Sequence, residues 1–250
     1  MDRAYYLRYY DFEKNHWWFR ARAEILKDYI SKQCQGNQKL KILNVGAATG
    51  GSIEWLTQLG DVISLEFDKE SVSFIREHLK AEVTEGSILS LPFEDNTFDL
   101  VCAFDVIEHI EDDKRGVQEL ARVCKSKGSV LITVPAHMHL WSQHDVVNHH
   151  YRRYEAGSLL GLLKALPSGN VTFITYFNHY FYIPILLTRR MNNLFSLLLR
   201  SKKFKSDFET FRPGVTNEFF FSVMARERKR VSSQIGFRQG VSILAHWIKN

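Results

Sequence analysis

The chain has 250 residues, 45% of them hydrophobic and 24% charged, and a formal net charge of +5. This is ordinary globular composition with ample length for one real core, and it excludes a low-complexity or repeat protein. Three cysteines, Cys34, Cys102 and Cys124, lack paired spacing and argue for a reducing compartment rather than a disulfide scaffold.

The N-terminus lacks the basic-then-apolar pattern of a signal peptide, and no run of about 18 apolar residues is present. The expectation is a cytoplasmic protein, with peripheral contact at the inner membrane surface left open. Positive groups cluster late, at Arg189-Arg190, Arg200 to Lys205 and Arg226 to Arg230, which is compatible with an anionic partner without specifying one.

An aromatic-rich segment from Tyr5 to Ile30 carries apolar residues at helical spacing and reads as a helical cap over the C-terminal edge of a sheet. From Lys39 to Ala136 strands and helices alternate. Strands are expected at Leu40–Val45, Val62–Phe67, Val83-Thr84, Phe98–Phe104 and Ser129–Val134, with helices at Ser52–Leu59, Lys69–Lys80 and Lys114–Val123. Such alternation builds a parallel sheet covered on both faces. Later come a helix at Leu159–Ala165, a strand at Val171–Phe177 and an apolar, aromatic insertion from Tyr180 to Leu199. A basic loop from Lys202 to Pro213, a helix from Asn217 to Arg230 and a last strand from Val241 to Ile248 complete the chain. We read one domain over 1–250, with a cap at 1–38, a cofactor-binding core at 39–136 and a substrate-side region at 137–250.

The turn Asn44-Val45-Gly46-Ala47-Ala48-Thr49-Gly50-Gly51 follows an apolar strand, and Glu66 ends the next strand. Small residues let backbone approach a ligand, and an acid there can accept hydrogen bonds from both ribose hydroxyls. The middle glycine of a dinucleotide fingerprint is absent, and no Lys-Ser/Thr pair makes a phosphate loop.

Further on stand Leu91-Pro92-Phe93, Phe98-Asp99-Leu100-Val101, Asp105-Val106-Ile107-Glu108-His109, Gly128 and Ile132-Thr133-Val134-Pro135. In this order the motifs resemble class I S-adenosylmethionine-dependent methyltransferases of the small-molecule type, strongly over Lys39–Pro135. Glu13 to Arg22, with His16-Trp17-Trp18-Phe19, and His150-Tyr151-Arg152-Arg153-Tyr154 look like the flanks of bacterial members.

The resemblance implies an α/β, Rossmann-like, doubly wound sheet of seven mostly parallel strands, and S-adenosylmethionine as cofactor with S-adenosylhomocysteine as product. It places Gly46, Ala47 and Gly50 along the methionine part, Glu66 on the ribose, Phe67 on the adenine face, and Phe104 and its neighbours under the sulfonium. Ser87, beside Ile88, stands where an acid often takes the adenine amino group. Asn44 stands where an acid often faces the cofactor's ammonium, and brings no charge.

Methyl transfer to a hydroxyl needs alignment and a base, and histidine is the natural one. The candidates are His109, His137, His139, His144, His149 and His150. Ala136–Tyr154 holds five of the ten histidines, and it follows the fifth strand, at the ligand-binding end of such sheets. One reading makes His144 or His150 the base, oriented by Asp145, with Arg153 holding an anionic group. The other makes Asp145, Arg152 and Arg153 an ion-pair network that pins the loop. Trp18, Arg22 and Tyr180 complete the candidate acceptor site. No zinc signature is matched, and no metal is expected.

The expected function is methylation of a small molecule, with an oxygen acceptor favoured and a lipid- or glycan-linked substrate considered. A non-catalytic S-adenosylmethionine-binding protein and an RNA methyltransferase are the alternatives, and nucleic acid is disfavoured because no RNA-binding module is recognisable.

Overall fold

In a computed structural model, residues 3–34, 39–199 and 214–250 are described. Seven strands form one sheet: β1 Leu40–Val45, β2 Gly60–Glu66, β3 Val83–Glu85, β4 Phe98–Phe104, β5 Cys124–Pro135, β6 Gly169–Phe177 and β7 Ser242–Lys249. Their order is β3-β2-β1-β4-β5-β7-β6. β1 lies parallel to β2 on one side and β4 on the other, with Leu43 opposite Ile63 and Val101. β7 runs antiparallel to both β5 and β6, so the expected mostly parallel sheet is what forms.

The central strands are continuous apolar runs because both faces are covered. On one face Leu43, Val101, Ile132 and Ala245 pack with Leu120 of helix α5 (Asp113–Val123) and Leu159 of α7 (Ala156–Lys164). On the other, Ile42, Leu100, Leu131 and Leu244 pack against Ile25, Leu26 and Tyr29.

The cap is two helices, α1 Arg3–Asn15 and α2 Trp17–Gln33, which break at His16. His16 has extended backbone, and its ring nitrogen accepts the N–H of Trp18, so it starts α2 as an N-cap. α1 and the first turns of α2 lie at the strand ends, while the rest of α2 lies flat on the sheet beside the helices Val215–Ala225 and Glu227–Ser232. Those two replace the single expected helix, with the break at Arg226. The start of the second is pinned by Glu227, whose carboxylate accepts the backbone N–H groups of Asn178, His179 and Tyr180 at 2.7, 2.7 and 3.2 Å.

Helix α3 is Ile53–Leu56, and α4 is Lys69–Phe74, which runs into a π turn at Ile75–Leu79. The Ala136–Tyr154 loop contains a 3-10 turn at Met138–Leu140 and helix α6 Gln143–Val147. The insertion begins as helix α8, Tyr182–Leu199. No described helix is long and apolar enough to cross a membrane. The basic loop expected at 202–213 lies outside the described residues.

Candidate active site

The sheet changes direction at β1, so the carboxyl ends of β1 and β4 flank the crevice where such folds bind ligands. A cavity of about 1130 Å³ opens there. Its wall is built from α1 and α2, the turn after β1, the end of β4 and the loop after β5.

The turn is shaped by glycine. Gly46 and Gly50 have φ of +73° and +92°, and a Cβ on Gly46 would come within 2.5 Å of Val106. The Gly46 N–H donates to Leu65 O at 2.8 Å and the Gly50 N–H to Ala47 O at 2.7 Å, which folds the turn tightly. A ligand can therefore lie directly on the backbone.

Behind it, Glu66 accepts the N–H of Ala48 at 2.7 Å on one oxygen, and those of Phe67 and Asp68 at 2.8 and 2.9 Å on the other. Burial pushes its carboxyl above the usual range, and these donors draw it back. The oxygen that takes only the Ala48 N–H keeps a lone pair, so the predicted ribose contact is compatible with this bracing role. Asn44 donates to Ser52 Oγ at 3.0 Å and lines the cavity, its amide spent on bracing the turn.

The residues predicted to border the adenine, Phe67, Ser87 and Ile88, do not line this cavity. Gly86 N–H bonds Glu66 O at 3.0 Å, which sets Ser87 beside Phe67. Phe67 is 77% exposed, Ser87 Oγ accepts the Leu89 N–H at 3.2 Å, and Ile88 is buried in the core. Phe104 lines the main cavity and stacks on Trp55 at 5.8 Å.

Sequence reasoning missed Glu13 as a site residue. From α1 its carboxylate accepts the Thr49 hydroxyl and, at 3.3 Å, the Gly51 N–H. Burial pushes it above the ordinary carboxyl range, with Thr49 and Arg22 opposing the shift. Nothing in the local sequence links it to a turn more than thirty residues away. Arg22 pairs with Asp105 and lies over the Trp18 ring at 4.6 Å, so the two predicted acceptor residues and the end of β4 form one wall.

At the other wall Asp145 is fully buried and joins two partners. Its Oδ1 lies 2.9 Å from His150 Nδ1 and accepts from Arg153 Nε at 2.7 Å. Against the cost of burial, His150 and Arg153 hold the carboxyl well below its ordinary range. Arg153 also donates to Ala136 O at 3.0 Å, so much of its donor capacity pins the loop. Arg152 does the same through Asp113 at 2.7 Å. The network and the oriented histidine thus coexist: His150, His144 and Arg153 all line the cavity, with Asp145 behind them.

Tyr180 stands outside this wall, half-exposed beside His179 and Phe237. Trp17 lines the cavity while packing on Phe181 at 4.9 Å.

Just below His150, Glu108 is fully buried, and neither carboxylate oxygen has a hydrogen-bond partner among the described residues. Burial, then Asp105, pushes this carboxyl well above its usual range. Partial burial, then His150, pushes His109 down to about 4, so its ring is neutral at physiological pH. The Asp105-x-x-Glu108-His109 spacing was the only sequence signal for this group.

The strand order, the glycine turn after β1 and the acid ending β2 are similar to those of class I S-adenosylmethionine-dependent methyltransferases, and the turn, where a Cβ on Gly46 would meet Val106, fits that cofactor. Residues 43–132 match the family described as "Methyltransferase domain". The chain is 27% identical over 157 residues to a protein named as a probable S-adenosylmethionine-dependent methyltransferase of Mycobacterium tuberculosis, covering 61% of this chain and 56% of that one. It is 29% identical over 133 residues to a phosphatidylethanolamine N-methyltransferase of Cereibacter sphaeroides, covering 50% and 58%. The chain thus spans little more than half the length of these relatives. Among solved structures, phosphoethanolamine N-methyltransferase 2 of Haemonchus contortus, in complex with S-adenosyl-L-methionine, superposes with a TM-score of 0.57 at 17% identity, covering 93% of this chain and 52% of that one. The [4+2]-cyclase SpnF does so at 0.56 and 15%, covering 90% and 80%, a reminder that the fold alone fixes no reaction.

Proposed function

We propose that this protein moves a methyl group from S-adenosylmethionine to an oxygen of a small-molecule acceptor, by direct attack without a covalent enzyme intermediate. The observation that carries the reading is that the Gly46–Gly51 turn and the Asp145-held His150 open onto one cavity. The cofactor, when bound, supplies an electrophilic methyl group on a sulfonium.

The chain's own residues do the rest. Gly46, Ala47 and Gly50 let the donor lie against backbone, Glu66 takes the ribose hydroxyls, and Phe67 with Ser87 borders the adenine. Trp18 and Arg22 close the cavity over the acceptor and exclude water, which strengthens the electrostatics inside. Asp145 fixes the His150 ring through Nδ1, leaving Nε2 as the nitrogen that draws the acceptor's proton. Alignment of acceptor and methyl then supplies much of the rate.

The test is turnover against a panel of hydroxylated acceptors, lipid- and glycan-linked molecules included. His150→Ala should lower turnover on the best of them by about a hundredfold or more; a loss within about threefold would remove His150 from proton transfer. A nitrogen acceptor is the second reading, favoured by the phosphatidylethanolamine N-methyltransferase relative. Turnover confined to amines in a parallel panel would replace the oxygen reading with this one.

A further inference from the structure

We infer that Glu108, His109 and His150 form a binding site for a divalent transition-metal cation on the acceptor side of the cavity. The potential ligand atoms of these three side chains all lie within 4.8 Å of one another. Two bonds of about 2.0–2.2 Å to one ion span at most about 4.3 Å, so modest side-chain movement closes the set. Backbone brings them together: the Tyr151 N–H donates to Glu108 O at 2.8 Å, which sets the loop carrying His150 over the end of β4.

Three further observations point to a cation rather than to a chance cluster. Glu108 is fully buried with both oxygens unpartnered among the described residues, a costly arrangement that a bound cation would compensate. His150 is already oriented as metal-binding imidazoles are, with Nδ1 on the buried carboxylate of Asp145. All three residues line the cavity, so one side of the set stays open to a ligand from solution. Two imidazoles and one carboxylate suit zinc, manganese or cobalt better than calcium or magnesium, which prefer oxygen ligands throughout.

Its role deepens the oxygen-acceptor reading and rests on it. Glu108, His109 and His150 would hold the ion with one face open to the cavity, where it would supply Lewis acidity to an acceptor hydroxyl, whose proton would leave to solvent. With an ion bound, the His150 Nε2 lone pair would go to the cation, so His150 acts as the proton acceptor in the metal-free protein and as a ligand in the loaded one. Val106, two residues before Glu108, packs against Gly46, so these side chains lie near the turn proposed to carry the methyl donor.

The experiment is calorimetric titration of chelator-treated full chain with zinc and with manganese chloride, without acceptor, beside a separate S-adenosylmethionine titration. Parent protein should bind one ion saturably, and His109→Ala and Glu108→Gln should each weaken it by about tenfold or more. His109→Ala guards against misfolding at the buried Glu108, and unfolding midpoints confirm that both variants are folded. His137→Ala tests the other grouping of potential ligands, His137, His139 and Glu155, and should leave binding as in the parent. No saturable binding by the parent, parental affinity in His109→Ala, or loss in His137→Ala alone would overturn the site. S-adenosylmethionine binding that persists in any of those cases leaves the methyl-donor reading intact, which separates the two.

Discussion

Glu13 on the first helix accepts the hydroxyl hydrogen of Thr49 in the glycine turn, so a residue of the cap holds the turn proposed to carry the methyl donor. The same carboxylate takes the Gly51 N–H at 3.3 Å and lines the cavity with Asn44. Asn44 has no charge to offer an ammonium, and Glu13 is an acidic group at this turn that can.

Glu13→Gln should therefore weaken S-adenosylmethionine binding by about tenfold, the scale of one charge-assisted hydrogen bond replaced by a neutral one. The titration should show a similar loss for S-adenosylhomocysteine, which keeps the ammonium and lacks only the sulfonium charge. Equal affinity of parent and variant for the donor would show that Glu13 only braces the loop.

Glu66→Ala removes a carboxylate that organises three backbone N–H groups, from Ala48, Phe67 and Asp68. Each stranded buried donor costs about 1–3 kcal/mol, so both stability and cofactor affinity should fall. Glu66→Gln can still accept from some of these donors and should regain part of the stability. Undiminished cofactor affinity in a folded Glu66→Ala protein would contradict the ribose assignment.

Gly46→Ala should abolish cofactor binding and lower the melting temperature. The left-handed backbone, at +73°, costs an L-residue about 1–2 kcal/mol. The new methyl would also lie 2.5 Å from Val106 before any relaxation. The double variant Gly46→Ala with Val106→Ala relieves the clash but not the strain, so stability should return only in part. Full recovery would show that packing alone required the glycine.

Asp145→Asn should destabilise the protein by about 3–5 kcal/mol at neutral pH, because Arg153 keeps a buried charge without its counterpart. The folded carboxyl is held below its unfolded value near 3.9. Its stabilisation is therefore fully present above that value and is lost as pH falls towards the folded one. Urea unfolding should show a wide gap between parent and variant at pH 7 that narrows on acidification below about pH 4. A gap that stays constant with pH would remove the ion pair as its cause.

Much of this protein follows from local chemistry. Continuous apolar runs such as Leu40–Val45 and Phe98–Phe104 are legible as strands buried on both faces, because each strand's alternation vanishes only when both sides are covered. Gly46 and Gly50 are legible as a ligand turn because only residues with little or no side chain fit there, and the later motifs narrow that turn to S-adenosylmethionine. What the sequence could not decide was which distant groups meet. The pairing of Glu13 with Thr49, the position of Tyr180 outside the cavity wall and the convergence of Glu108, His109 and His150 depend on how helices and a long loop settle on the sheet. Those contacts carry no periodicity along the chain. The cofactor turn is local and so was written in the sequence, whereas the acceptor side is assembled from segments far apart, and only tertiary packing brings them within bonding distance.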